Sequence, residues 1–183
     1  MTNSHKFILI LFVFSLLACK NDIEVVNKLT ADNNLPQLKA ENMEIIYSDS
    51  GFVKLKTFTP LLESYTQKEK PYSEFKQGIK TVSYDRFQKV TSEMSAKYAI
   101  YLINENLWEL KNNVVVKNIN GETLTTEHLF FQEDKEILYT KEFVMILNAN
   151  GSKITGKGGF ESNLGFTEYR FVDVSGKYNF NNN

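Results

Sequence analysis

Four groups of residues in this chain are of types that do chemistry. The first is Gly151-Ser152-Lys153-Ile154-Thr155-Gly156-Lys157. It matches seven positions of a phosphate-cradling loop, which uses backbone N–H groups and a lysine to hold an anion at a helix N-terminus. Gly158 stands where that loop needs a magnesium-binding hydroxyl, and the residues that follow pattern as a strand rather than a helix. The match is therefore read as incidental, with the glycines permitting a kinked or bulged strand. The second is His128, between Glu127 and Leu129. With no nucleophile elbow nearby, it is expected as a surface or half-buried strand histidine. The third is the carboxylates Glu161, Glu168 and Asp173. Glycoside hydrolysis would need two of them facing across a cleft, and their spacing gives no such pairing. The fourth is Cys19, the sole cysteine. It excludes an internal disulfide and, beside a single histidine in the expected mature chain, a zinc site. No metal and no cofactor are expected.

The residues before Cys19 say what that thiol is for. His5 and Lys6 form a charged n-region and Phe7 to Leu17 an unbroken apolar run, too short to span a bilayer. Residues 1–18 are read as a secretory signal peptide. Leu16-Leu17-Ala18-Cys19 resembles the lipobox of bacterial lipoproteins, in which the cysteine is acylated and becomes the new N-terminus. The expectation is a periplasmic protein tethered by lipid at Cys19, with the inner membrane as its anchor. Residues 19–39 are read as lipidated cysteine and flexible tether, reaching ~65 Å fully extended and ~25 Å as a coil.

Of 183 residues, about 165 remain after the leader, enough for one domain with a core. Basic and acidic residues number 21 and 22 and are intermixed, so no basic stripe suggests a nucleic-acid partner. Residues 40–178 are expected to form an all-β domain, followed by a disordered tail at 179–183. Strands are expected near Gly51–Thr59, Ile79–Tyr84, Met94–Ile103, Leu107–Ile119, Thr123–Gln132, Ile137–Asn148, Ser152–Ser162 and Phe166–Ser175. Trp108, Leu110, Val114 and Val116 alternate with Glu109, Lys111, Asn113 and Lys117, the period of a half-buried strand. Asn120-Gly121 and Asn150-Gly151 carry the signal of two-residue type I′ hairpins. Phe143, Met145 and Leu147 oppose Val144 and Ile146, so Ile137–Leu147 is apolar on both faces and is expected to be covered twice. An antiparallel sandwich or barrel follows.

The order of features from Leu107 to Asn163 resembles the LptC family. The resemblance runs through Leu107–Val116, Asn120–Leu129, Ile137–Thr140, Val144–Ile146 and Ile154–Asn163. Tyr47–Leu55 and Met94–Ala99 fit its earlier strands more loosely. The chain departs at its N-terminus, where a lipobox replaces the transmembrane helix of the best-known members. The resemblance implies a twisted antiparallel β-jellyroll, open along one side, whose interior receives the acyl chains of lipid A. It implies lipopolysaccharide as cargo, the LptF/LptG permease with its LptB ATPase on one side, and an LptA-like bridge protein on the other. Trough residues under this reading are Trp108, Leu110, Val114, Val116, Leu124, Phe131, Val144, Ile146 and Phe160. The competing expectations are a lipid-anchored cell-surface β-sandwich adhesin and a glycan-acting envelope enzyme.

Overall fold

The computed structural model describes residues 35–177. Cys19, the leader, residues 19–34 of the tether and the 179–183 tail lie outside the described residues. Six long strands carry the domain: β1 (Leu38–Asp49), β2 (Phe52–Tyr65), β7 (Leu107–Asn118), β8 (Thr123–Gln132), β11 (Lys153–Asn163) and β12 (Tyr169–Lys177). Between them lie three pairs of shorter strands: β3 (Tyr72–Phe75) with β4 (Ile79–Tyr84), β5 (Val90–Ala96) with β6 (Tyr98–Leu102), and β9 (Ile137–Thr140) with β10 (Val144–Leu147).

Each long strand belongs to two sheets at once, and each short pair splits between them. The first sheet runs β1-β2-β3-β6-β7-β8-β9-β11-β12, and the second runs β1-β2-β4-β5-β7-β8-β10-β11-β12. Every pairing is antiparallel. The result is a jellyroll folded along one crease, with no β-strand pairing to the outer edges of β1 and β12 among the described residues.

The crease is made by residues that interrupt a ladder. Asn42 takes a left-handed φ of 50°, and Asn112 and Asn113 take 64° and 57°. Pro60, which cannot donate to a ladder, falls opposite Asn42, between the pairs Glu41–Leu61 and Met43–Thr59. Gly78, Lys97 and Lys141–Phe143 are the breaks within the short pairs. On the last two layers Gly159 (φ 138°) and Asp173 (φ 54°) bend the chain, and the β11–β12 register shifts between Gly156 and Gly159. The glycines there are thus bulge-formers, and β11 is a strand with no helix after it, as the sequence pattern required.

Three expectations are corrected. Met94–Ile103 is two strands, because Lys97 breaks the ladder and donates its N–H to the Asn112 carbonyl at 3.0 Å. Ile137–Asn148 is likewise two, β9 in the first sheet and β10 in the second. Its doubly apolar pattern reflects that change of sheet: Val144 and Ile146 face the core, while Phe143 and Leu147 stay exposed. Finally, neither Asn-Gly pair forms a type I′ turn. Gly121 N–H bonds the Asn118 carbonyl and Gly151 N–H that of Asn148, and in each turn only the glycine has positive φ. These are type I turns closed by a left-handed glycine.

Residues facing inward form continuous rows across the layers. One row of the second sheet reads Ile45, Thr57, Thr81, Met94, Val116, Leu124, Ile146, Ile154. One row of the first reads Ser64, Ser73, Tyr101, Trp108, Phe131, Leu138, Ser162, Tyr169. Where the sheets meet near the crease, Leu110, Val114, Leu124, Leu129, Leu138 and Val144 are wholly buried.

Candidate functional site

The space between the two sheets narrows at the crease and widens toward the opposite lip. Close to the crease it is filled by side chains. Leu110, Val114, Val116, Leu124, Val144, Ile146 and Phe160, all expected as trough residues, are each 3 % exposed or less. They form one contiguous core, with Trp108 and Phe131 packed against its margin.

Further from the crease the filling is incomplete. A cavity of about 150 Å³ lies between the sheets, lined on one wall by Trp108 and Phe131 and on the other by Leu55, Thr57, Thr81, Met94 and Val116. Three of the nine expected residues, Trp108, Val116 and Phe131, therefore share this space. Alternation on β7 and β8 suffices to find these three. Leu55, Thr57, Thr81 and Met94 lie on β2, β4 and β5, where threonines and lysines dilute the alternation and the inward face follows from pairing through β5 to β7. A larger hollow of about 640 Å³ includes the outward-facing Glu44, Phe58 and Lys80, so it opens on the outer surface at the crease.

The lip of the first sheet is polar. A turn of 3-10 helix at Ile103–Glu105 and another at Glu133–Lys135 bring Glu133 over the ends of β6 and β7. Trp108 Nε1–H donates to Glu133 Oε1 at 2.8 Å and the Tyr101 hydroxyl donates to Glu133 Oε2 at 3.0 Å. The Tyr101 and Trp108 rings stack at 4.7 Å. Burial, then the adjacent Glu133, push the Tyr101 phenol up to about 12. Trp108 thus keeps an apolar face toward the cavity, with Tyr101 stacked on it, and both spend their polar atoms at the rim.

The opposite end of the mouth is crossed by the β11–β12 turn, Asn163–Glu168. It leaves the first sheet and reaches the β7–β8 hairpin of the second, where Asn118 Nδ2–H donates to the Gly165 carbonyl at 3.1 Å. Leu164 forms one side of the cavity, and Phe166 is 4 % exposed within the core.

Residues of types that do other chemistry lie elsewhere. His128 is on the outer face of the first sheet, its Nε2 2.8 Å from Glu109 Oε1, with Lys111 Nζ at 2.7 Å from the same oxygen. Glu161 pairs with Arg170 at 3.4 Å on the surface, and Asp173 sits at the crease. Glu161 and Glu168 both border a surface hollow beside Arg170, and neither lines the cavity between the sheets. Gly151–Lys157 spans a hairpin turn and the start of β11.

Two creased antiparallel sheets around an apolar interior that stays partly unfilled on the mouth side define an all-β protein of jellyroll type. A family model described as lipopolysaccharide-assembly, LptC-related, matches residues 7–164, and the chain belongs to this LptC-related family. No curated protein matches the chain. Membership makes it an envelope-associated periplasmic component of lipopolysaccharide transport. No helix among the described residues is long and apolar enough to cross a membrane.

Proposed function

We propose that this protein is a non-enzymatic conduit that receives lipopolysaccharide from an inner-membrane ABC permease and passes it to the next jellyroll of a bridge across the periplasm. Acyl chains travel between the two sheets, on the mouth side of the core. The observation that carries this reading is the apolar cavity between Trp108, Phe131, Met94 and Val116. Exposing each methylene of an acyl chain to water costs about 0.8 kcal/mol, so a lipid with several chains needs continuous shielding rather than any reaction. The polar rim at Glu133 and Tyr101 leaves sugars in water while the chains are covered. Lipidation at Cys19 tethers the domain to the inner membrane, in place of a transmembrane helix. The LptF/LptG permease and its LptB ATPase deliver the cargo, and an LptA-like protein accepts it, each through a free strand edge.

The test is a photo-crosslinking residue placed at Trp108 or Phe131 in cells, with outward-facing Glu93 and Lys117 as controls. Lipopolysaccharide adducts are expected at the two inner positions alone. Adducts at neither, or equally at all four, would overturn the conduit.

A further inference from the structure

The cavity is too small for the cargo it is meant to hold. An apolar cavity of 150 Å³ accommodates a benzene-sized molecule, about six carbons, and the space here is about 150 Å³. What limits it on the β11 side is the Asn163–Glu168 turn. Leu164 lines the cavity, and Phe166 lies just beyond in the core, its ring 6.5 Å from that of Phe160. Among the described residues, these two side chains come from a turn, whereas the other apolar groups lining the cavity and the core come from strands.

Most hydrogen bonds of the turn are its own. Its base is closed by the Asn163 N–H to the Glu168 carbonyl at 3.2 Å and by the Ser162 hydroxyl, which donates to the Asn163 and Glu168 carbonyls at 2.8 and 3.0 Å. Asn163 Oδ1 accepts from Thr167 N–H at 3.0 Å, Asn163 Nδ2–H donates to Thr167 Oγ1 at 2.6 Å, and Phe166 N–H bonds the Asn163 carbonyl at 3.2 Å. Those bonds can travel with the turn as a unit. Across the mouth the turn is latched by the Asn118–Gly165 hydrogen bond. Phe166 sits at φ 55°, a left-handed conformation unusual for a bulky residue.

We propose that the Asn163–Glu168 turn is a displaceable plug, with Leu164 and Phe166 occupying the path that a saturated acyl chain takes through the jellyroll. A guest enters beside Leu55, Met94 and Trp108, pushes Leu164 and Phe166 out and breaks the Asn118–Gly165 latch. The empty protein thereby keeps its inner wall out of water. This inference rests on the conduit reading, and the experiment separates the two.

Trp108 is the only tryptophan of the chain and lines the cavity, so its fluorescence reports occupancy directly. The full-length protein is titrated with 9,10-dibromostearate, whose bromines quench indole on contact. Wild type, L164A and F166A are compared, with far-ultraviolet circular dichroism to check folding. The plug must open before the guest binds, so weakening it raises the fraction competent to bind. Half-quenching is expected at about tenfold lower concentration in the variants. Amide hydrogen exchange at 163–168 in the wild type, which needs no substitution, is expected to speed up when dibromostearate saturates the protein. Quenching that is equal in all three proteins, with exchange at the turn unchanged, would remove the plug and leave the conduit standing. No quenching in any of them would remove both.

Discussion

At the scale of single residues, burial separates the side chains that hold the fold from those that can meet a guest. Leu124 is wholly enclosed, and its replacement by alanine is expected to cost about 2–5 kcal/mol, seen as a lower urea midpoint. Phe131 borders the cavity and is partly exposed. F131A should cost less than the about 3–5 kcal/mol of a fully buried phenylalanine, yet weaken the quenching of Trp108 by dibromostearate. A variant series in which lipid uptake simply tracked stability would contradict this division of labour. On the outer face, Glu109 gives a pH dependence. Partial burial alone would raise its carboxyl, but hydrogen bonds from Lys111 and His128 outweigh that and hold it below 4.5. The folded state therefore keeps Glu109 ionised where an unfolded glutamate takes up a proton. Its stabilisation is full above about pH 4.5 and is lost as pH falls through the depressed value. E109Q should be less stable than wild type at pH 7, with the gap between their urea midpoints closing toward pH 3.

At the scale of elements, what could be read in advance was governed by period and by turn chemistry. The inner face of β7 is legible because Trp108, Leu110, Val114 and Val116 keep even spacing through the bend. Asn112 and Asn113 together add no change of parity there, so the bend itself leaves no trace in the alternation. Breaks at Lys97 and Lys141–Phe143 were equally silent, since a lysine or glutamate in a β-rich run reads as an outward strand residue. The hairpin glycines are legible in the sequence, but the type of their turns is not. A type I′ turn does occur at Ser50-Gly51, where both residues have positive φ, 52° and 82°, and Asp49 pairs with Phe52. A serine in the first position conceals it, because Asn or Gly is the usual signal. The plug was invisible for a related reason: Leu164 and Phe166 lie in a turn and share no period with any strand. Two glycines allow the crease to be tested as a structural device. At Gly78 (φ +96°) an added Cβ would stand 2.8 Å from the Ala96 carbonyl oxygen, whereas at Gly51 (φ +82°) it would meet nothing within 4 Å. G51A should cost about 1 kcal/mol from backbone conformation alone. G78A should cost clearly more, because the β5–β6 break must also shift. Equal losses in thermal unfolding would mean that the crease has slack at this layer.

At the scale of the whole molecule, the two ends pose the question that the trough cannot answer alone. β1 and β12 close the stack of layers, and both expose apolar side chains: Ile46 and Tyr47 on β1, Val172 and Val174 on β12 at 54 % and 60 %. No strand pairs with these outer edges among the described residues; such edges invite aggregation unless something covers them, and their apolar residues argue for strand partners rather than solvent. The ends are also electrically different. β1 carries Lys39 against Glu41, Glu44 and Asp49, while β12 carries Arg170 and Lys177 against Asp173. An acidic end and a mildly basic end discriminate between partners, since like charges set side by side are penalised. A conduit needs that asymmetry, because cargo must arrive at one edge and leave by the other. Photo-crosslinking residues at Tyr47 and at Val174 are therefore expected to capture two different proteins from the envelope, one a permease subunit and the other a jellyroll protein of the bridge. Raising the salt concentration should weaken both captures modestly, because the exposed charges are screened while the apolar contacts and strand pairing persist. Capture of one and the same protein at both edges would mean that the two ends are not distinguished. The trough would then be a holding site for lipid, with no direction of travel built into its ends.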